Sequence, residues 1–374
     1  MGKKMNYRFI TTIGSLPCTD PKNAFDLLLK YTPELITWPQ LPKRSFKENM
    51  YVQFTEKLPG VIIDENKQKI YIDTKTAYNE LEKFYEHYLT NDFDYFSISR
   101  EYASGFYQLL NYLNIKSTLP VNLVSKSYIG ENNNIVKCQL TGPITLGLSL
   151  KTETDASVFY DTQLKDVILK LIIMKSLWQM KQIIKTNSEI STIVLFLDEP
   201  YLASYGSAYT PITKEDIISS LNEVISIIKN SKDLVKKSNN QNLNILVGIH
   251  CCANTDWSII LETGLDILSF DAYEYFDNLM LYIDKLKHFI NSDGILAWGI
   301  VPSSNKIEME TKESLIKKLE AQFEQLSNKG IDKTKILNKI IITPSCGLGT
   351  LSEELAQKIL FLTRELFIYL NNKQ

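Results

Sequence analysis

The sequence is poor in the residues on which several classes of protein depend. Five cysteines, an odd number, are scattered over 374 residues, which argues against a disulfide framework and favours a reducing compartment. Arginine occurs four times and the net charge is −2, so the chain has no basic surface for nucleic acid. No apolar run is long enough to span a membrane or to act as a signal peptide. We therefore expect a cytoplasmic protein that binds neither nucleic acid nor membrane.

The composition is otherwise that of a globular protein with a large core. Hydrophobic residues make up 44% of the chain and charged residues 22%. The length would allow two domains, but α/β barrels of this size often form one. Because neither an internal repeat nor an inter-domain linker is visible, we expect one domain over residues 1–374.

Apolar, strand-like runs recur along the chain, and small, polar or metal-ligating residues follow most of them. These runs lie at residues 7–13, 135–140, 193–197, 245–249, 267–270, 295–300 and 340–342. Helical patterns between them, as at 215–228 and 315–326, predict a parallel sheet. An eighth strand is expected at 34–38, with 93–99 as the alternative. Eight βα units predict an α/β fold of the TIM (β/α)8 barrel type.

Two segments depart from this repeat. The stretch from about 40 to 130 fits it badly, and within that stretch residues 61–64 and 70–73 flank a polar turn, which predicts a hairpin. We expect an insertion of hairpin and helices over one barrel end. The apolar helical pattern at 158–184 is long and nearly uniform, so that helix should pack inside.

Two cysteine-containing motifs end predicted strands. Because strand side chains alternate between the two faces, His250 and Cys252 should point the same way and Cys251 the opposite way. Cys346 follows the last strand, and the carboxyl ends of barrel strands meet at one rim. An imidazole and two thiolates favour zinc. Asp271, at the end of the next strand, is a candidate fourth ligand, although that position could instead stay open for substrate.

Further polar residues are expected at the same rim or close to it. Of the adjacent acids Asp198 and Glu199, one should bind a substrate ammonium group, unless it forms a salt bridge to a loop lysine or arginine. Ser15 could offer its hydroxyl to a carboxylate or simply form a turn. The remaining candidates are better explained as a buried thiol, a turn and two surface histidines: Cys18, Thr141-Gly142-Pro143, His87 and His288.

Taken together and in order, these motifs are specific. The chain resembles the catalytic C-terminal barrel of the cobalamin-independent methionine synthase family, within the uroporphyrinogen decarboxylase-like superfamily. The resemblance rests on TTIGSLP at 11–17, VKCQLTGPIT at 136–145, LDEP at 197–200, HCC at 250–252 and PSCGL at 344–348.

The resemblance implies a TIM barrel that transfers a methyl group to the sulfur of homocysteine held on zinc. His250, Cys252 and Cys346 match the family's His and Cys ligands. The family's fourth ligand is a glutamate, which Asp271 would replace. Three further residues match substrate contacts: Ser15 for the carboxylate, Asp198 for the amino group, and Glu48 as a second acidic contact.

Two departures from the family concern the methyl donor. The family's N-terminal folate-binding barrel has no counterpart in this sequence, and residues 297–302 lack the family's histidine that protonates the departing folate nitrogen. A methyl-corrinoid needs no such proton, so we expect a corrinoid methyl-carrier protein as partner, with 5-methyltetrahydrofolate as the alternative donor. The sequence also leaves open a uroporphyrinogen decarboxylase-like enzyme, a methylcobamide:coenzyme M-type methyltransferase and a non-catalytic zinc-binding barrel.

Overall fold

The computed structural model describes residues 7–118, 134–208, 210–236 and 242–373. The strands are β1 Phe9–Ile10, β2 Val61–Asp64, β3 Lys69–Ile72, β4 Ile135–Thr141, β5 Thr192–Asp198, β6 Asn244–Cys251, β7 Ile267–Phe270, β8 Ile295–Val301 and β9 Ile340–Pro344. The helices are α1 Pro21–Tyr31, α2 Thr74–Leu89, α3 Ser104–Thr118, α4 Pro143–Ser149, α5 Thr162–Thr186, α6 Lys214–Asn230, α7 Lys232–Val235, α8 Trp257–Leu261, α9 Phe276–Met280, α10 Ile283–Asn291, α11 Lys312–Asn328, α12 Lys333–Asn338 and α13 Glu353–Asn371.

Seven strands form one curled parallel sheet in the order β1-β9-β8-β7-β6-β5-β4. Every residue of β4, β5 and β8 is buried, as expected for parallel strands that are covered on both faces. The predicted strands from 135 onward are confirmed, and β7 coincides with its prediction. The architecture is mixed α/β and consistent with a TIM-like barrel, although the sheet does not close.

The open side lies between β1 and β4, where the predicted eighth strand at 34–38 is not formed. Residues Pro33–Leu35 form a 3-10 turn, and Thr37 makes only an isolated bridge to β4. Prolines at 33 and 39 remove backbone donors on both sides of this segment, which explains why no ladder extends along it. The alternative, residues 93–99, is not a strand either. The strand predicted at 7–13 is formed over Phe9–Ile10 only, where it pairs with β9.

Side-chain hydrogen bonds join this open side, and we call Thr37, Lys137 and Gln139 the polar seam. The Thr37 hydroxyl donates to Gln139 Oε1 at 2.6 Å, and Lys137 Nζ donates to the same oxygen at 3.1 Å and to the Ile13 carbonyl at 2.8 Å. Gln139 Nε2 donates to the Trp38 carbonyl at 2.8 Å. Burial lowers the pKa of Lys137 to about 8.

The stretch of chain between Thr37 and β4 carries the predicted hairpin. β2 and β3 pair antiparallel, with Val61 opposite Ile72, which confirms that prediction. Ile72 donates its backbone N–H to the Lys151 carbonyl, so the hairpin is tied to the segment after α4. The expected insertion of about 40–130 ends among residues 119–133, which lie outside the described part of the chain.

The central helix α5 lies against this sheet and is buried along most of its length, as its sequence predicts. Among the residues that the structure describes, no helix combines the length and apolar character needed to cross a bilayer.

Candidate metal centre

His250 comes near the end of β6 and is buried inside the curled sheet. The parallel register places it beside Asp198 on β5 and Ser269 on β7. Its Nδ1 lies 2.9 Å from the Ser269 hydroxyl, whereas its Nε2 is buried and has no hydrogen-bond partner among the described residues. A buried polar nitrogen without a partner is unfavourable unless a ligand satisfies it.

Two thiols lie beside the His250 imidazole. The ligand atoms of His250, Cys252 and Cys346 all lie within 4.8 Å of one another. Both thiols are partly buried, while Cys251 is fully buried on the other face and its Sγ donates to the Ala253 carbonyl at 3.5 Å. Strand alternation thus separates Cys251 from Cys252.

The two thiols shift each other's pKa in opposite directions. A hydrogen bond from Cys346, reinforced by the His250 imidazole, lowers the pKa of Cys252 to about 4. The same bond and burial raise the pKa of Cys346 well above its ordinary value. One imidazole nitrogen without a partner and two adjacent sulfurs form a soft donor set that fits a transition metal such as zinc.

Cys346 lies in the loop after β9, where neighbouring loops hold its backbone. Its N–H donates to Ser303 Oγ at 2.9 Å, and the Ser303 hydroxyl donates to the Cys346 carbonyl at 2.9 Å. Ser15 contacts the same loop, since its Oγ accepts from Gly349 N–H at 3.2 Å. A Cβ on Gly347 would lie 2.2 Å from that oxygen, so a side chain there would displace the Ser15 hydroxyl. Three strand ends therefore meet at this thiol.

The two adjacent acids after β5 have separate surroundings. Asp198 is buried beside His250, and its Oδ1 has no partner among the described residues. Desolvation raises the pKa of its carboxyl to about 6, with His250 and Lys137 opposing the shift. This carboxylate is available to a ligand near the sulfurs.

Glu199 turns the other way and caps a helix. Its two oxygens accept the N–H groups of Ile144 and Thr145 at 3.0 and 2.7 Å, in the first turn of α4. A Cβ on Gly142 would lie 2.2 Å from the carboxylate, so the glycine of the Thr-Gly-Pro turn permits this contact. Within the described residues, neither acid forms the salt bridge to a loop lysine or arginine that was the alternative to ammonium binding.

Asp271, the expected fourth ligand, is buried after β7 but lies outside the group of three. Its Oδ1 accepts the Glu274 N–H at 2.9 Å, and desolvation raises its pKa to about 6. Among the described residues, no carboxylate joins the imidazole and the thiols within 4.8 Å. The arrangement therefore supplies three protein donors and leaves a fourth position to another group.

Glu48 is buried and its oxygens are already engaged. It accepts hydrogen bonds from Arg44 at 2.7 Å, from the Ser104 hydroxyl at 2.6 Å and from the Leu41 N–H at 3.3 Å. The structure does not place it in the metal-ligating group. In this conformation the carboxylate holds the loop at 41–48 in place.

That loop borders a cavity of about 580 Å³ lined by Tyr51 and Tyr201, whose ring centroids lie 6.1 Å apart. Burial, then Tyr201 and the charges of Cys252 and Cys346, raise the pKa of Tyr51. The Tyr51 phenol is therefore close enough to Cys252 and Cys346 for their charges to contribute to its raised pKa. The cavity is of a size that suits a small molecule.

The remaining candidates lie elsewhere, as expected. Cys18 is buried in the core outside the group. His87 stacks on Tyr95 with ring centroids 3.8 Å apart and bonds Asp92, and His288 lies on α10. None of them belongs to the group of three candidate ligands.

Sequence reasoning missed Ser269 and Ser303, the two hydroxyls that contact candidate ligands. Ser269 carried a usable signal, because it lies two residues before Asp271 along β7 and so faces the interior beside His250. Ser303 carried none, since its contact depends on how two loops meet.

Comparisons with known proteins bear on the fold. No protein-family model and no curated protein matches the chain. A methyltransferase from Methanosarcina mazei is similar in structure over 98% of this chain and 96% of its own, with a TM-score of 0.51 and 13% identity. A B12-independent methionine synthase from Shewanella sp. W3-18-1, in complex with selenomethionine, is similar over 72% of this chain and 67% of its own, with a TM-score of 0.44 and 14% identity. At such identities the likeness concerns architecture, and the reaction has to be argued from the site.

Proposed function

We propose that this chain is a zinc-dependent methyltransferase that moves a methyl group onto a thiol, with homocysteine as the acceptor and methionine as the product. The observation that carries the proposal is the triad of His250, Cys252 and Cys346, in which one imidazole nitrogen and two sulfurs lie within 4.8 Å of one another and Nε2 has no hydrogen-bond partner among the described residues. When bound there, zinc would hold the acceptor sulfur as a thiolate, which is the nucleophilic form.

The chain's own residues would bind and orient the acceptor. Asp198 would receive the substrate ammonium group, because its Oδ1 is buried and unpartnered beside His250. Ser15 would lie near the substrate carboxylate, although its Oγ already accepts from Gly349. Tyr51 and Tyr201 would line the way in and exclude water.

A methyl-corrinoid protein is the donor that we favour. Of the chain's three histidines, His250 is a candidate ligand, while His87 and His288 lie on α2 and α10, away from the site. Protonating a departing folate amine would therefore need another acid, whereas a corrinoid leaves without a proton. The solved methyltransferase with a similar fold is compatible with methyl transfer in general.

Two competing functions fit the site less well. A decarboxylase of the uroporphyrinogen type needs arginines for several carboxylates, but each of the four arginines already has a partner: Arg8 with Leu337 and Leu370, Arg44 with Glu48, Arg100 with Tyr107, and Arg364 with Glu34. Arg44 borders the cavity beside Tyr51, but its charge is paired with Glu48. A sulfonated thiol such as coenzyme M would place its anion near Asp198, and like charges repel.

The test measures zinc content and methyl transfer together. Purified chain would be offered homocysteine with a methylated corrinoid protein, with free methylcobalamin or with 5-methyltetrahydrofolate, and methionine would be quantified. We expect about one zinc per chain and methionine from the corrinoid donors only. Cys251→Ala serves as the matched control for Cys346→Ala, because it removes a neighbouring thiol that faces away. Absence of turnover with every thiol acceptor would refute the proposal.

A further inference from the structure

Two serines contact candidate metal ligands without being members of the ligand group. Ser269 is fully buried, and its Oγ lies 2.9 Å from His250 Nδ1. Ser303 exchanges two hydrogen bonds of 2.9 Å with the backbone of Cys346. One serine contacts the imidazole of a ligand and the other fixes the main chain of a ligand, and they come from different strand ends.

We infer that Ser269 and Ser303 are positioning residues that prearrange His250 and Cys346 for the metal. The inference rests on the metal site of the proposed function. A neutral imidazole has one N–H, and whichever nitrogen carries it cannot be a ligand. If Nδ1 carries the proton and donates a hydrogen bond to Ser269 Oγ, Nε2 is left with the lone pair, and Nε2 is the atom without a partner among the described residues. Ligand histidines commonly use such an outer hydrogen bond to fix their orientation.

Ser303 acts on the other side of the site. Cys346 lies beyond β9 and outside the backbone ladder, so nothing in the sheet itself fixes its φ and ψ angles. The two hydrogen bonds between the Ser303 hydroxyl and the Cys346 backbone take the place of strand pairing there. Ser345 adds a third bond between the two loops, because its Oγ accepts from the Ser303 N–H at 3.0 Å. We expect this clamp to hold the Cys346 sulfur near Cys252 before a metal arrives.

The test titrates metal-free protein with Co²⁺, followed by absorption in the visible and thiolate-to-metal bands, and with Zn²⁺ in competition with a chelator. Ser269→Ala should weaken metal affinity about 10- to 100-fold, the range typical of outer-shell partners. Ser303→Ala should weaken it about three- to tenfold, as expected for net hydrogen-bond losses near 1 kcal/mol. Ser269→Thr and Ser303→Thr retain the hydroxyl and should recover most of the affinity.

Matched controls separate positioning from general damage. Ser176→Ala removes an equally buried hydroxyl that bonds only Ile172 within α5, and Ser304→Ala removes the neighbour of Ser303 that caps Lys306. Both should bind Co²⁺ as the unaltered protein does. Ser269→Ala and Ser176→Ala should lose similar amounts of thermal stability when metal-free, so that only the affinity distinguishes them. Affinity in Ser269→Ala within twofold of Ser176→Ala would overturn the inference.

A spectroscopic measurement keeps the inference testable even if Ser269→Ala fails to fold. Nitrogen-15 NMR of the zinc-loaded protein reports the protonation state of each imidazole, and the chain has only three histidines. We expect His250 to carry its proton on Nδ1 and the metal on Nε2, whereas metal on Nδ1 would overturn the inference. If the unaltered protein binds neither metal, the proposed function fails; if it binds them and Ser269→Ala binds them equally well, only the positioning inference fails.

Discussion

The two sides of the curled sheet are held together in different ways. From β4 to β9 each strand hydrogen-bonds its neighbours along the backbone, and β4 and β5 match over seven residues. Between β4 and β1 the described residues form isolated bridges, the polar seam of Thr37, Lys137 and Gln139, and a hydrogen bond from the Thr11 hydroxyl to the Leu35 carbonyl. A backbone ladder tolerates many side chains, whereas a side-chain seam depends on particular ones. His250 and Cys252 belong to the ladder side, so damage to the seam should reduce stability before it affects metal binding.

The largest effect on metal binding is expected for Cys346→Ala, at a residue that follows β9 on the ladder side of the sheet. Loss of one of three protein donors should lower zinc affinity on the order of 10²- to 10³-fold, since complete structural zinc sites release roughly 10–16 kcal/mol. Chelator competition measures this affinity. Cys251→Ala should keep the affinity of the unaltered protein because that thiol faces the core. Equal zinc affinity in both variants would contradict the ligand assignment.

The next effect tests the polar seam through Gln139→Met. Gln139 bonds Thr37, Lys137 and the Trp38 carbonyl, so its loss should lower the free energy of unfolding by about 3 kcal/mol. Urea unfolding measures this change. Gln179→Met is the matched control, because Gln179 is equally buried but accepts only one hydrogen bond, from Trp38 Nε1. A smaller loss of stability in Gln139→Met than in Gln179→Met would contradict the structural role assigned to the polar seam. Loss of zinc binding in a folded Gln139→Met protein would contradict the separation of the seam from the metal centre.

A third prediction concerns Asp198, between the seam and the metal centre. Asp198→Asn should lower kcat/KM for homocysteine about 10- to 100-fold, because an ionic hydrogen bond contributes roughly 1.5–3 kcal/mol. Steady-state kinetics with 4-mercaptobutyrate, which lacks the amino group, supplies the control: its low turnover should change little. An equal loss with both thiols would show that Asp198 does not recognise the ammonium group.

The smallest effect is a pH dependence of stability that arises in the seam. The pKa of Lys137 is lowered to about 8 in the folded chain, so from pH 8 upward the unfolded state binds more protons and stability should rise with pH. The contribution is at most about 1.4 kcal/mol per pH unit. Lys137→Met should remove it between pH 8 and 9.5, as measured by urea unfolding.

Lys175 provides the comparison for that experiment. It is equally buried, its pKa is lowered to about 7, and it bonds the Phe96 and Ser97 carbonyls far from the seam. Lys175→Met should remove a similar but separate part of the dependence of stability on pH. The Lys137→Met/Lys175→Met double variant should therefore show a weaker pH dependence than either single variant. A slope that persists in the double variant would assign the pH dependence to other groups.

The same contrast explains how much the sequence could predict. The strands that pair along the backbone were predicted well. Their aliphatic runs are buried on both faces, as in Ile267–Phe270, and such a run indicates a central strand of a parallel sheet. The strand expected at 34–38 was wrong, because its apolar residues look like a strand while the prolines at its ends prevent a ladder. Local pattern does not reveal whether a neighbouring strand offers partners.

At the candidate site, strand alternation brought His250 and Cys252 to one side and assigned Cys251 to the other. It could not distinguish Asp198 from Glu199, since the choice depends on the first turn of α4 and on the missing Cβ of Gly142. The distance of Asp271 from the thiols likewise depends on a loop contact, its bond to Glu274. These contacts depend on how loops fold and meet, so they leave no periodic pattern in the sequence.

The adjacent thiol pair has a consequence for handling the protein. Cys252 and Cys346 are the partly exposed cysteines of the chain, and Cys18, Cys138 and Cys251 are buried. Without metal the two sulfurs lie side by side, and an oxidant that removes two electrons, with loss of the thiol protons to solvent, would join them as a disulfide. Air oxidation would thus form this disulfide in the metal-free protein and leave the buried thiols reduced, and a reductant would restore Cys252 and Cys346.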